Sequence, residues 1–403
     1  MSLTTYKEAF DNAYQEVFDK TLVGKNIANL RFKPILTYGE SVERVIYDTS
    51  AVRVRTVTRG AASTIDKLSD TSELLQVNVD KEAVFSISDG EVKQAGPLNP
   101  GEVIGAQIGH KVSQDLDARI LYETVNALYN FDQGDLTGLN SNSSPFELNS
   151  NTVPQMVTRM PAKLRAKNNI PLTNLCLVVD SYAAADIAQY LLGKQFDVVN
   201  AVFKNGYAEG QVAGGEVYIS ENLTGEVIWS QSSLLNGQSL SIGGVVFWAG
   251  DSPENETTYG GFWVGANGTD GLQYLADLIN NPGDSVAGRR IALSEDDIVT
   301  VTDVLRLTAT ASGGSLTVLG TGSGRLATTD AADGRWTRNK IHCYYGKKGG
   351  IDVVVQDLKE VEMRPESDRR ATNVFSSYLA GIKTFADGAK KFLDVEIQVE
   401  DYA

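Results

Sequence analysis

Residues 75 to 87 alternate apolar and polar side chains more strictly than any other stretch of the chain. Leu75, Val77, Val79, Ala83, Phe85 and Ile87 alternate with Gln76, Asn78, Asp80, Glu82 and Ser86, and only Lys81 and Val84 fall out of phase. A period of two marks an extended strand with one buried face. Upstream, Val45 to Arg59 is rich in β-branched residues, with Val52 and Val54 alternating with Arg53 and Arg55. The two stretches predict two long strands joined by a polar tip at about residues 60 to 73. A strand of this length extends roughly 45 Å at ~3.4 Å per residue, and a two-stranded ribbon that long is marginal in water by itself. It must therefore lie on something. The loop changes sign along its length, from Arg53, Arg55 and Arg59 to Asp66, Asp70 and Glu73. That pattern suits docking on another copy of the chain, and it equally suits a solvated polar loop.

A long helix follows. Asn99 is placed to cap it, Pro100 to occupy its first position and Glu102 to sit near its positive end. Ile104, Ile108, Val112, Leu116 and Ile120 recur at spacings of four, and Leu121, Val125 and Leu128 take over the stripe as it drifts, so the helix is expected to reach as far as Asn130. At the N-terminus, Tyr6, Phe10, Tyr14, Val17 and Phe18 form one aromatic stripe if residues 4 to 20 are helical, packing either on their own domain or on a neighbouring subunit or scaffold.

From Thr152 the pattern becomes helix, strand, helix, strand: TVPQMVTRMPAKLRAK, the apolar run Leu175 to Val179, YAAADIAQYLL capped by Asp180 and Ser181, and EVYISENL. This alternation indicates a compact α/β domain. Residues 226 to 340 are rich in Gly, Thr and Ser, with SLSIGGVVFW expected as one strand, GLQYLADLIN as a short helix and RLTATASGGSLTVLG as a hairpin turning at Gly313 and Gly314. They have the texture of a self-contained inserted domain. IHCYYGKKGGIDVVVQ and FLDVEIQVE then return to regular strands.

At 403 residues the chain is too long for a single core, so two or three subdomains are expected. Its 42% hydrophobic fraction suits a folded globular protein. A formal charge of −15 argues against a protein whose main task is gripping nucleic acid, which needs clustered Lys and Arg, although an acidic wall around packaged DNA would repel the polymer. The charged N-terminus lacks the apolar core of a signal peptide, and no run of 18 apolar residues offers a membrane span, so folding in a cytoplasm is expected. Cys176 and Cys343 lie in strand-like segments and are expected as small core residues.

Catalytic chemistry has little to draw on. The two histidines, His110 on the long helix and His342 in a strand, are expected as satisfied structural residues and supply too little for a zinc site or a Ser-His triad. The glycines of Gly320 to Arg325 follow a hairpin and open no helix, so they signal a turn and not a phosphate loop. Glu295, Asp296 and Asp297 lack the spaced oxygen ligands of a calcium loop and are expected in a solvated turn. No catalytic residue, cofactor or metal is expected.

The order of parts resembles the tailed-bacteriophage major capsid protein family, which has the Hong Kong 97-type fold. The segments that carry the resemblance are VNVDKEAVFSISDGEVKQAG at 77 to 96, EVIGAQIGHKVSQDLDARILYETV, VVDSYAAADIAQYL with the turn at Asn205-Gly206 and GEVYISENL, and the closing stretch from YYGKKGGIDVVVQ to FLDVEIQ. The resemblance implies an α+β capsid fold divided into an N-terminal arm (1–40), an extended two-stranded loop (41–96), a spine helix and peripheral domain (97–150), an axial α/β domain (151–225), an inserted β-rich domain (226–340) and returning strands (341–403). It implies self-assembly as pentamers and hexamers into an icosahedral shell around double-stranded DNA, built in a host bacterial cytoplasm. A separate scaffolding protein, a portal and an optional decoration protein are the implied partners, with no sequence-specific nucleic-acid binding and no membrane. Arg53, Arg55, Arg59, Asp66, Asp70 and Glu73 become candidates for contact between subunits. Another virion or tail component would share the acidic, strand-rich composition without needing both spine helix and extended loop. A bacterial nanocompartment shell would share the fold but should be shorter and lack the insertion.

Overall fold

The computed structural model describes residues 22–30, 41–48, 52–56, 66, 69–88, 100–137, 144–168, 170–192, 203–204, 207–208, 211–229, 237, 239–250, 259–263, 269–286, 289–312, 314–321, 328–330, 336–358, 362–365 and 371–398. The N-terminal aromatic stripe, the Asn99 cap, Arg59 and most of the 320–325 glycine stretch lie outside them.

In chain order the first elements are α1 (Gly24–Ile27), β1 (Ala28–Asn29), β2 (Ser41–Asp48), β3 (Ser69–Gln76), β4 (Val79–Ser88) and α2 (Pro100–Tyr122). A 3₁₀ turn (Glu123–Asn126) leads to β5 (Tyr129–Phe131), α3 (Gln133–Thr137), α4 (Thr152–Asn168), β6 (Leu175–Val179) and α5 (Ser181–Leu192). Next come β7 (Phe203–Lys204), β8 (Tyr207–Ala208), β9 (Gln211–Val212), β10 (Gly215–Ile219), β11 (Thr224–Trp229), β12 (Ser239–Ile242), β13 (Val245–Gly250), β14 (Gly261–Trp263) and α6 (Thr269–Asn280). The chain closes with α7 (Glu295–Val299), β15 (Thr308–Ser312), β16 (Ser315–Gly320), β17 (Thr328–Asp330), β18 (Trp336–Lys347), β19 (Ile351–Leu358), β20 (Glu362–Pro365), β21 (Ala371–Lys383) and β22 (Phe392–Gln398). The class is α+β. Among the described residues no helix is long and apolar enough to cross a membrane.

The chain divides into two units. The first contains Ile27–Val112 and Gly349–Lys390, and the second contains Leu22–Asn26, Ser113–Lys348 and the strand β22. The boundary falls inside α2.

In the first unit the long strand β21 is the centre of a five-stranded sheet, pairing with β19 and β20 on one edge and with β4 over ten residues on the other. The hairpin β2–β3 pairs from Ser41↔Gln76 to Asp48↔Ser69. The expected ribbon of two continuous long strands is therefore corrected. Residues 52 to 56 carry no strand, and the alternating stretch divides at Val77 and Asn78 between β3, which pairs with β2, and β4, which pairs with β21. The physical reason is that alternation reports which face of a strand is buried and is silent about which strand lies beside it. The phase runs unbroken through the change of partner: Leu75 is buried, Val77 and Val79 are half-buried, and Gln76, Asn78 and Asp80 are exposed. Gly381 permits the crossing, since a Cβ there would stand 2.6 Å from the Gln76 carbonyl oxygen.

In the second unit a nine-stranded mixed sheet runs β15-β16-β11-β18-β6-β10-β9, with β22 on the far side of β18 and β5 beyond β22. All five residues of β6 are buried, as the uninterrupted apolar run required. The Asp180 carboxylate caps α5 by accepting from the Ala183 amide at 2.8 Å. Cys176 and Cys343 are both buried in strands.

Three expectations are corrected here. The spine helix stops at Tyr122 and does not reach Asn130, because Tyr129–Phe131 is drawn into parallel pairing with β22. SLSIGGVVFW is a hairpin, β12–β13, turning on Gly243 and Gly244 at φ 60° and 91°, values that only glycine adopts at little cost. Glu295, Asp296 and Asp297 form the first turn of α7, where Ser294 accepts from the Asp297 amide and acidic side chains suit the positive end.

The inserted region has its own apolar core, including Trp229, Phe247, Phe262, Leu275 and Val318 around the sheet β14-β13-β12-β17 and α6. It is not separate at the level of hydrogen bonding, since β16 pairs with β11 and β11 with β18 of the main sheet.

Candidate assembly surface

The hairpin β2–β3 has two chemically distinct faces. On the inner face Val42, Ile46 and Leu75 pack with Val354 and Phe385. Arg44 shares that face, its guanidinium 5.1 Å from the Phe385 ring centroid, 3.5 Å from Asp352 and paired also with Asp387. Asp352 is fully buried and accepts a second hydrogen bond from Asn29. The base is tied further by Lys383, which donates to the Leu74 carbonyl at 2.8 Å, and by the Ala386 amide, which donates to Glu73 at 3.2 Å. The outer face is the opposite: Val45, Tyr47 and Leu74 are 46%, 65% and 41% exposed. Cross-strand pairing places Glu43 opposite Leu74, Ser72 opposite Val45 and Asp70 opposite Tyr47 on that outer face.

The candidate contact residues fall into distinct settings. The Arg53 amide donates to Asp66 at 2.9 Å, and the Arg55 guanidinium donates to the same carboxylate at 2.6 Å. Within one chain the sign change along the loop thus already closes one exposed ion pair, a contact worth only ~0–1 kcal/mol. Asp70 is exposed beside Tyr47, and Glu73 sits opposite Arg44 at the anchored base.

The sequence reading missed a second cluster, in the second unit. Lys340 and His342 project from one face of β18, between Glu226 of β11 and the pair Asp394 and Glu396 of β22. The His342 Nδ1 lies 2.7 Å from Asp394 and its Nε2 3.5 Å from Glu226. Lys340 Nζ lies 3.0 Å from Glu226 and 3.2 Å from Glu396. Asn130 of β5 donates to the other Glu396 oxygen at 2.8 Å. The result is a chain of alternating charge, Asp394, His342, Glu226, Lys340, Glu396, whose side chains are all between 1% and 12% exposed.

Burial by itself would lower the His342 pKa, and the Asp394 carboxylate with its hydrogen bond outweighs that, lifting it to about 9. Lys340 is likewise raised, burial being overcome by Glu226 and Glu396. Glu226 is held below the usual carboxylate range because His342 and Lys340 outweigh its burial. Glu396 is raised, by burial first and by neighbouring Asp394. The signal for this cluster was present as Lys and His two apart in NKIHCYY and Asp and Glu two apart in FLDVEIQ, each on one face of its strand.

His342, Asp394 and Glu396 each bring one donor atom to within 4.8 Å of the others, the spacing a metal ion would need. Lys340 and His342 themselves supply the positive charge between the carboxylates, with His342 Nδ1 on Asp394 and Lys340 on Glu396, so the group reads as an ion-pair chain. Burial pushes the Cys176 thiol up to about 12, which keeps it a weak donor, here to the Gly346 carbonyl at 3.4 Å. His110 is exposed on α2.

No protein-family model and no curated protein matches the sequence. Among solved structures the chain is similar to the capsid of the cyanophage P-SCSP1u, with 12% identity over 90% of this chain and 84% of that one and a TM-score of 0.43. It is similar to the mature capsid of bacteriophage PhiM1 at 10% identity, 91% and 83% coverage and a TM-score of 0.42. It is also similar to a virus-like particle from Pyrococcus furiosus at 10% identity, 98% coverage of both chains and a TM-score of 0.40.

Proposed function

We propose that this chain is a self-assembling shell subunit, the major capsid protein of a tailed-bacteriophage head that encloses double-stranded DNA. The observation that carries this reading is the hairpin β2–β3: its base is anchored in its own unit while Val45, Tyr47 and Leu74 are left on the opposite face. A two-stranded ribbon with water on an apolar face is marginal, and it gains stability by burying that face on a neighbour. A protein that repeats this contact at every subunit assembles. The resemblance of the ordered segments, from extended loop through spine helix to closing strands, gives the shell its type. The net charge of −15 suits an inner wall that contains packaged DNA without gripping it.

In this reading the chain forms pentamers and hexamers in a bacterial host cytoplasm and ends in the virion. It does so with a separate scaffolding protein, a portal and an optional decoration protein, and without catalytic work. Arg53, Arg55, Arg59, Asp66, Asp70 and Glu73 remain the candidates for contact between subunits, with Asp70 on the outer face and Glu73 at the anchored base. The test is electron microscopy of the chain expressed with and without the neighbouring genes of its source genome. Closed icosahedral particles or rings of five and six subunits are expected. They should vanish in the triple variant Val45→Ser, Tyr47→Ser, Leu74→Ser while the monomer stays folded. Tubes, or a persistent monomer with a scaffold present, would overturn the proposal.

A further inference from the structure

The buried ion-pair chain is not needed for any contact of the hairpin, and burying five ionisable groups is costly where apolar residues would fill the same space. We infer that Glu226, Lys340, His342, Asp394 and Glu396 form a proton-held latch that keeps the closing strand β22 in the main sheet at neutral pH and slackens it in alkali.

The geometry carries this in three steps. First, the links between side chains cross from strand to strand. His342 and Lys340 of β18 reach Asp394 and Glu396 of β22 on one side and Glu226 of β11 on the other. Second, three carboxylates face two cations, so the buried group is one charge short of neutral unless one acid carries a proton. Glu396, bonded to Lys340 and to Asn130 and next to Asp394, is the acid whose proton burial holds more firmly than usual. Third, if His342 gives up its proton, those acids are left with Lys340 alone, and the 2.7 Å contact to Asp394 loses its ionic character.

Among the described residues the neighbouring elements bring no substitute cation to His342. The 3₁₀ turn packed on β18 and β22 brings Glu123, bonded to Asn126, and α4 brings Lys163, bonded to Asp135 and to the Asn130 carbonyl. Thr224, opposite His342 on β11, is uncharged, and its buried hydroxyl has no partner.

His342 is held above its ordinary value, so its contribution to folding is complete below about pH 6.5 and disappears as pH rises through about 9. Glu396, also raised, pushes the same way. Between pH 6.5 and 10 the folding equilibrium should fall on the order of 100-fold through His342.

The experiment uses the full, unassembled chain, so it stands apart from the shell reading. Carbon-13 NMR of labelled histidine should show His342 titrating near pH 9 in the wild-type chain, and the midpoint should drop in Asp394→Asn. Urea midpoints should fall between pH 7 and 10 much more in the wild-type chain than in His342→Gln. Amide exchange, corrected for its intrinsic pH dependence, should show Leu393 to Ile397 losing protection before β6 does. A His342 midpoint at or below 6.5, parallel pH slopes in wild type and variant, or simultaneous loss of protection in both strands would overturn the latch. The NMR titration needs no variant and so tests the inference even if His342→Gln fails to fold.

Discussion

Replacing Lys340 by Met tests the ion-pair chain most directly. Met has nearly the length of the Lys stem and loses little packing, so the change isolates the charge. The wild-type ammonium lies 3.0 Å from Glu226 and 3.2 Å from Glu396, carboxylates whose side chains are only 12% and 4% exposed. Removing one partner of a buried pair costs about 3–5 kcal/mol, because the remaining charge stays desolvated. Folded domains hold only ~5–15 kcal/mol in total, so roughly a fifth or more of the stability is at stake. Urea unfolding of the unassembled chain, followed by circular dichroism, should show a lower midpoint at unchanged slope. The deficit should shrink at lower pH, where one proton on a buried carboxylate can replace the charge of the lost ammonium. Adding Glu226→Gln to Lys340→Met should recover part of the loss, with a coupling above ~1 kcal/mol. A cost below ~1 kcal/mol for the single variant, or the same deficit at pH 5 and pH 8, would refute the idea that Lys340 neutralises buried carboxylates.

Arg44→Ala should cost about 2–4 kcal/mol and loosen the hairpin base, since Asp352 is buried and loses its cation; limited proteolysis within residues 41 to 76 reads the loosening. Gly346→Ala should destabilise by about 3 kcal/mol or more, because the new Cβ would meet the Phe392 Cα at 2.4 Å across two paired strands; a thermal melt within 2 °C of wild type would contradict this. Replacing Arg53, Arg55 and Arg59 with Glu should block assembly and leave the monomer folded, measured by sedimentation, and normal shells would remove those residues from the docking face. Placing Glu at 53 and 55 also sets like charges beside Asp66, so the exposed pair there is lost at a cost of no more than ~1 kcal/mol.

Much of the architecture was readable because it follows from local periodicity. The apolar run at Leu175 to Val179, the cap at Asp180, the helix Thr269–Asn280 and the hairpin closed by Ser312 and Ser315 each follow from side-chain pattern and turn chemistry. So do the two buried cysteines. What was misjudged depended on partners. VNALYNF fits a helical stripe as well as a strand, and the pairing of Tyr129–Phe131 with β22 decided it. Residues 75 to 80 keep one phase across the corner where the strand changes sheets, and Gly381, approaching the Gln76 carbonyl, marks the crossing.

The sequence by itself determined which face of each segment avoids water, where turns are cheap, and that the composition favours a folded acidic protein over a nucleic-acid binder. Tertiary structure alone decided which strands became neighbours, and with them the clamp of Arg44 on Asp352 and the charge chain through Lys340 and His342. The physical reason is range. Periodicity and capping act over a few residues, whereas these ion pairs join side chains 52 to 308 positions apart, and their energy depends on a burial that exists only once the sheets have formed.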